Sequence, residues 1–574
     1  MPTPSEITAQ LTGPGGMFEV VVEDVGGRPT EVYKERMRSL RDIPVAARNR
    51  GNDLPFIVYG KLRIGFADFV DTANSVSAGL AKLGVAHGDR VAVLAQNCPE
   101  WCLAFWGTVD IGAVLVGLNG WWKADEIVYG LQDSGAKILV ADRRRIERVT
   151  GDLDECPDLE HILLIDCDPA DVGLDGDERA RRFDELTADP TPDLPTVRIA
   201  QDDPAVILYT SGTTGRPKGA VSTHRNMVAN LQNTLYTSVY GSMVSGDELI
   251  PKSKTGQNVS LFTSPLFHVS GCHSTLVTGL LAGLRLVMVE GRFDPDKALQ
   301  LIQDEGVTIW ATVPTMVWRV CEHPARHDYD TSSVRTVAFG GSPSADELQR
   351  MVRDTFPNLK GASNVYGLTE SSSAATVLSP REAVERPTSV GRPVPTVRIK
   401  IADEDGADAP TGQPGEVLIT GPTIMAGYWG KPDATAETVR DGWLHTGDIG
   451  LLDEEGYLFI TDRKKDMIIR GGENVYCVEI ENRLVAHPEV LDAAVIGVPH
   501  PELGEEVKAV VQLAAAGSAL TTADVQGWVA ETLAGFKVPA YVELRTDKLP
   551  RNASGKLLKN ALRGVGEVSF EETM

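Results

Sequence analysis

At 574 residues, 42% hydrophobic and 24% charged, the chain has the length of two or more domains and the composition of a soluble globular enzyme. Its 55 basic against 80 acidic residues leave a net charge of −25, which argues against nucleic acid or an anionic membrane as partner. Seven cysteines (Cys98, Cys102, Cys156, Cys167, Cys272, Cys321 and Cys477) form no C-x-x-C pair and no zinc pattern, so they read as free thiols of a cytoplasmic protein. No apolar run reaches 18 residues, and the N-terminus lacks the basic and apolar regions of a signal peptide.

In chain order, residues 1–60 read as a lead-in punctuated by glycine and proline. Helical spacing over Phe66–Leu83 is followed by a strand at Asp89–Leu94, a helix over Pro99–Gly112, and strands at Ala113–Leu118 and Ile138–Ala141. Alternation of this kind predicts parallel β-α units. Trp121 and Trp122, at a strand end, read as core or interface. Residues 151–200 are rich in Asp and Pro and read as a solvated connection. Ala205–Leu208 is a buried-strand pattern that opens further β-α units up to residue 375. Within them, the polar stretch between Asn230 and Val259 reads as an exposed loop. Short strands and frequent turns over 390–460 predict a β-rich subdomain. The charge-dense Asp462–Asp466 reads as a linker, and the pattern beyond it as a compact α+β domain. The expected fold class is therefore α/β: an N-terminal domain over 1–461 of layered β-α units with a β-rich subdomain, a linker at 462–466, and a small α+β domain over 467–574.

The chemistry concentrates first in Tyr209–Gly219. Gly212, Gly215 and Gly219 let backbone N–H groups converge on one point. The hydroxyls of Thr210, Ser211, Thr213 and Thr214 add donors and Lys218 adds a positive charge, a set suited to a polyphosphate. The loop is not the G-x-x-x-x-G-K-[ST] cradle, because glycine follows Lys218 and proline precedes it. Further motifs follow in order: Pro265–His268, Asn364–Glu370, Thr446–Asp448, Asp462–Asn474 and Asn552–Lys556.

Together these motifs resemble those of the adenylate-forming superfamily, which holds acyl-CoA synthetases, peptide-synthetase adenylation domains and beetle-type luciferases. The resemblance implies activation of a carboxylic acid by ATP to an acyl-adenylate, then transfer to coenzyme A with release of AMP. It implies Mg²⁺ held by Glu370 and Thr210, an adenine stacked on Tyr366, and a base lined by Gly340, Gly341, Ser342 and Asn364, with Gly367 and Thr369 in the same motif. It implies ribose hydroxyls bound by Asp448, with Arg463 also reaching the nucleotide. Lys556 becomes the principal catalytic residue, on a mobile C-terminal domain that pivots at Lys465. Rotation would then bring the loop containing Gly471, Gly472 and Glu473 to the site, lining a tunnel for the pantetheine arm. His268 sits near the acyl carboxylate in a pocket-shaping or gating role. His224, His273 and His445 receive no assignment, and a homodimer is compatible with these readings.

Gly367 stands where acetate-type synthetases carry tryptophan, which predicts a deep pocket and a medium- or long-chain fatty acid or another bulky acid. Two alternatives stay open on these residues: a ligase that loads a carrier protein, and a luciferase-like oxygenase.

Overall fold

The computed structural model describes residues 3–188, 190–191, 193–210, 216–245, 256–340, 346–359, 362–471, 473–514, 518–551 and 557–564. Two large sheets form the body. One runs, edge to edge, through Gly427–Tyr428, Lys218–Thr223, Pro204–Thr210, Val114–Gly117, Arg90–Leu94, Ile138–Asp142, His161–Ile165 and Ala180–Arg182. The other runs through Arg392–Pro393, Ser373–Leu378, Ala362–Leu368, Thr336–Gly340, Ile309–Thr312, Val259–Phe262, Arg285–Met288, Pro55–Tyr59 and Leu62–Gly65. Both sheets are parallel in their centres, as the β-α alternation predicts; the second turns antiparallel toward both edges and the first toward one.

The helix Pro99–Val109 explains how the sheets stack. All its residues but Glu100 are buried, including Trp101 and Trp106. A helix apolar all round belongs between layers. Its core joins Val91, Val93 and Leu115 of the first sheet to Phe56, Phe262 and Leu286 of the second. The outer faces carry further helices: Ile127 and Leu131 cover the first sheet, and Leu299, Ile302 and Val317 cover the second.

A β-rich unit follows, with Arg398–Ala402, Gly415–Thr420, Trp443–Leu452 and Val439–Arg440 in one sheet and Leu458–Arg463 paired to Trp443–Leu452. The last unit has its own sheet, Glu473–Val475, Ile468–Arg470, Gly504–Leu513 and Val490–His500, with Tyr541–Arg545 beside Gly504–Leu513. The helices Cys477–Val485 and Thr522–Ala530 close its core. Among the described residues no helix is long and apolar enough to cross a membrane.

Three expectations need correction. The lead-in is structured: Thr3 caps a helix over Pro4–Thr12, and the apolar run Phe56–Val58 makes Pro55–Tyr59 a strand of the second sheet. Inside the connection 151–200, buried Ile162–Ile165 forms a strand paired to Ile138–Asp142, and the charged residues around it are spent on local ion pairs such as Asp177–Arg179.

The stretch from Asn230 to Ser245 is no exposed loop, because His224–Ser245 is one helix. Two of its asparagines face inward: Asn233 accepts the Tyr33 hydroxyl at 2.7 Å and Asn230 accepts the N–H of Ala374 at 3.4 Å. Buried polar groups with partners mimic a loop in composition. Residues 246–255 lie outside the described residues.

The charged segment Asp462–Asp466 mixes exposed and buried residues. Lys464 and Lys465 are exposed, but Asp462 and Asp466 are buried. Asp462 accepts the N–H groups of Arg463 and Cys477, and burial raises its carboxyl to about 6. Asp466 pairs with Arg563 at 3.2 Å.

Candidate active site

Three of the motifs end parallel strands. Thr210 closes Pro204–Thr210, Gly340 closes Thr336–Gly340, and Ala362–Leu368 runs into the turn Thr369–Ser371 that carries Glu370. Ligands of parallel sheets bind beyond such C-terminal strand ends. Thr210 faces Lys218 across the antiparallel strand pair, and its hydroxyl donates to the Lys218 carbonyl at 3.4 Å. Ser211, Gly212, Thr213, Thr214, Gly215, Gly341, Ser342, Gly472 and Lys556 lie outside the described residues.

Glu370 and Lys218 meet through Tyr428. The Tyr428 hydroxyl donates to Glu370 Oε1 at 2.8 Å, and Lys218 Nζ lies 5.1 Å from the centre of the Tyr428 ring. Burial, and then the charge of Glu370, push the Tyr428 hydroxyl well up, so it stays a donor. The sequence marks Gly427–Trp429 only as a short strand. That strand pairs with Lys218–Thr223, and Met425 donates its N–H to the Glu370 carbonyl at 2.9 Å. No group of three or more His, Cys, Asp or Glu side chains able to hold a metal occurs among the described residues. A cation at Glu370 and Thr210 would therefore take most of its oxygens from water and phosphate, which suits Mg²⁺.

Asp448 is held from two sides. Strand register sets it opposite Arg463, whose Nε lies 3.0 Å from Oδ1, and Tyr366 donates its hydroxyl to Oδ2 at 2.8 Å. Tyr366 is thereby tethered at its hydroxyl end. Asn364 is buried and its amide donates to the Ser389 carbonyl at 3.1 Å.

The glycines Gly340 and Gly367 differ. Among the described residues, a Cβ on Gly340 would meet nothing closer than the Val365 carbonyl oxygen at 3.5 Å. A Cβ on Gly367 would lie 1.6 Å from the Ser373 carbonyl oxygen. That glycine sits at an irregularity in the pairing of Ala362–Leu368 with Ser373–Leu378, and backbone packing requires it. Its identity therefore says nothing of pocket depth, and the deep-pocket expectation drawn from it is withdrawn.

Beside these residues runs a wall of hydroxyls. After Pro265–His268 the chain winds as a π-helix over Ser270–Val277, a rare form that is frequent at functional sites. Ser270 and Ser274 are half-buried while Gly271, Cys272 and His273 are buried. His268 Nδ1 shares a hydrogen bond with the Ser270 hydroxyl at 3.2 Å, and Ser274 shares one with Ser373 at 2.6 Å. Burial pushes the His268 imidazole down to about 4, so it is neutral at pH 7.

Ser371, Ser372 and Ser373, which the sequence reading passed over, fasten the turn after Glu370. Ser371 binds within the turn, Ser372 reaches Ser222 at 3.0 Å, and Ser373 reaches Ser274. Ser372 and Ser373 hold positive φ of 51° and 104°, backbone strain of the kind that clusters at sites. The tryptophan pair is accounted for as well. Trp122 is buried edge-on to Tyr209 at 5.4 Å, and Trp121 stands edge-on to Phe267 at 5.3 Å.

The structure thus gathers Thr210, Lys218, Gly340, Asn364, Tyr366, Gly367, Thr369, Glu370, Asp448 and Arg463 on connected elements. No described hydrogen bond or ion pair joins Gly471 or Glu473 to them. Those two flank the turn between Ile468–Arg470 and Glu473–Val475, where Gly471 has φ of +59° and Arg470 is paired with Glu506.

The AMP-binding enzyme family model matches residues 44–429, and that of the AMP-binding enzyme C-terminal domain matches 479–556. A feruloyl-CoA synthase of an Amycolatopsis species is 36% identical over 529 residues, which span 92% of this chain and 99% of that protein. A mitochondrial medium-chain acyl-CoA ligase of Mus musculus is 32% identical over 535 residues, spanning 88% and 84% respectively. Among solved structures, an anthranilate CoA ligase in complex with anthranoyl-AMP superposes with a TM-score of 0.82 at 26% identity, over 92% of this chain and 97% of that one.

Proposed function

We propose, since the chain belongs to the AMP-binding enzyme family and is an AMP-forming acid–thiol ligase that uses ATP, Mg²⁺ and CoA, that its acid is a bulky one with an oxygen substituent on a ring, such as a hydroxycinnamate. The carrying observation is the hydroxyl wall of Ser270, Ser274 and Ser373 beside His268. Ser270 is partnered by His268 and Ser274 by Ser373, but each hydroxyl keeps a further lone pair that a substrate hydroxyl could use, and a site that hydrogen-bonds a substrate hydroxyl discriminates against analogues lacking it. The likeness to feruloyl-CoA synthase over nearly the whole chain supports the same class. The likeness to a medium-chain acyl-CoA ligase supports a second reading, a medium-chain fatty acid.

In the first half-reaction a carboxylate oxygen bonds to the α-phosphorus of ATP and pyrophosphate leaves. In the second, the thiol sulfur of CoA bonds to the acyl carbon and AMP leaves. The carboxylate is already ionised at neutral pH, so the first step needs no general base, and neutral His268 shapes the pocket. Lys218 and, in our assignment, Lys556 bring positive charge to a reaction that joins two anions. Asp448 accepts hydrogen bonds from a ribose diol, and Arg463 and Tyr366 hold it in place. Mg²⁺, when bound at Glu370 and Thr210, would neutralise phosphate charge. We assign 1–461 and 467–574 to the two domains, Lys465 to the pivot, and Gly471, Gly472 and Glu473 to the pantetheine path.

The test is a competition among matched acids. Ferulate, 4-coumarate, cinnamate, octanoate and laurate are offered together with ATP, Mg²⁺ and CoA, and the acyl-CoA products are read by mass spectrometry. Hydroxylated aryl-CoA products should dominate, and a dominant octanoyl- or lauroyl-CoA would refute the assignment.

A further inference from the structure

Outside the nucleotide face, one carboxylate gathers the approaches to Thr210 and Lys218. Asp133 lies near the end of the helix Ala124–Ser134 with its side chain 10% exposed. The hydroxyl of Tyr209, the residue before Thr210, lies 3.0 Å from Asp133 Oδ2, its nearer acceptor, and 3.2 Å from the Gly130 carbonyl. Lys431 Nζ donates to Oδ1. The Tyr129 hydroxyl lies 3.2 Å from that same oxygen and 3.0 Å from the carbonyl of Pro217, the residue before Lys218. Its single proton serves one of the two at a time.

The surroundings make this a built arrangement. Burial, and then Asp133, push the Tyr209 hydroxyl well up, so it remains a donor. Trp122 packs edge-on against the Tyr209 ring, and Arg216 stacks 4.9 Å above the Tyr129 ring. Lys431 ends the segment that begins with Gly427–Tyr428, whose strand pairs with Lys218–Thr223 and whose Tyr428 holds Glu370. Neither Asp133 nor Lys431 has a described hydrogen bond or ion pair to Glu370, Asp448 or Arg463.

We propose that Asp133 is a positioning residue for ATP: by gripping Tyr209 and Lys431 it fixes the strand ends that present Thr210 and Lys218 to the nucleotide. The proposal rests on Thr210 and Lys218 meeting ATP, as assigned above. Its consequence is selective. Loosening this grip spoils the binding of ATP, and leaves the acid, CoA and the CoA half-reaction alone.

Steady-state kinetics of the full chain tests this. Asp133→Asn keeps the shape and removes the charge, and the KM for ATP should rise about tenfold while those for acid and CoA stay within about twofold. CoA acylation from supplied acyl-adenylate should keep its rate. Lys431→Met should raise the ATP KM alike, and the double variant Asp133→Asn/Lys431→Met should be no worse than either single one, as partners in one contact require. Tyr209→Phe, which removes one hydroxyl and keeps the ring packed on Trp122, supplies the same readout if Asp133→Asn does not fold. Thr210→Ala and Lys218→Ala serve as references. A normal ATP KM in both references would fault the site assignment. A raised value in the references with a normal one in folded Asp133→Asn and Tyr209→Phe would overturn the positioning role. Equal losses in both half-reactions, or additive effects in the double variant, would overturn it too.

Discussion

Tyr366 donates its hydroxyl to Asp448 at 2.8 Å, which ties together two motifs 82 residues apart. Asp448 is 3% exposed and lies between that hydroxyl and the Arg463 guanidinium. Asp448→Asn should raise the KM for ATP about 10- to 100-fold, the equivalent of about 1.5–3 kcal/mol for hydrogen bonds to a charged acceptor. Tyr366→Phe keeps the ring and loses the tether, so its effect should be smaller and in the same direction. ATP titrations of both variants at saturating acid and CoA check the order.

Tyr428 holds one oxygen of Glu370. Tyr428→Phe frees that carboxylate to rotate, and the Mg²⁺ concentration for half-maximal rate should rise about fivefold, in line with about 1 kcal/mol for a hydrogen bond. The rate at saturating Mg²⁺ should return to near the wild-type value. A Mg²⁺ titration at fixed ATP reads both, and an unchanged Mg²⁺ requirement would count against the role of Glu370.

The Gly367 backbone leaves no space for a side chain. Gly367→Ala must push against the Ser373 carbonyl, so it should lower thermal stability and slow every acid alike, with overpacking costs of about 1–3 kcal/mol. Melting curves and the acid panel together check this. A variant with normal stability and a shifted ranking of acids would restore this glycine to the pocket floor.

Asp110 is wholly buried, and neither side-chain oxygen has a hydrogen-bond partner among the described residues. Burial raises its carboxyl far above the usual range, against a smaller opposing effect of Arg41. The folded chain therefore keeps a proton here that the unfolded chain loses near pH 4. The stability from this group is present below about pH 4 and is lost as pH rises toward the folded value. Asp110→Asn should raise the melting temperature at pH 7.5 by about 1–3 °C, and the gain should shrink as pH falls toward 4. Calorimetry across that range shows whether the sign is right.

Much of this was legible from the chain. Buried parallel strands announce themselves as apolar runs, and Arg90–Leu94, Val114–Gly117 and Ile138–Asp142 lie where the pattern puts them. The family was legible because its glycines, hydroxyls and charges recur at fixed order over the chain. What escaped has physical reasons. The inward asparagines of His224–Ser245 look like loop composition because a partnered polar residue in the core has the same identity as a solvated one. Tyr428, Asp133 and Ser373 act through contacts with residues distant in the chain, which no local pattern encodes. Gly367 misled because a glycine required by backbone packing and one that opens a pocket are the same letter.

The central claim is that the Ser274–Ser373 hydroxyl wall selects an oxygen-bearing acid, and the specificity of Ser274→Ala tests it most directly. kcat/KM is measured for 4-coumarate, cinnamate and octanoate with wild type and variant. Wild type should favour 4-coumarate over cinnamate by about tenfold or more, and Ser274→Ala should erase most of that ratio while leaving cinnamate nearly unchanged, as the loss of one hydrogen-bonding partner in a closed site predicts. Preference of the wild type for octanoate, or an equal fall for 4-coumarate and cinnamate in the variant, would contradict it.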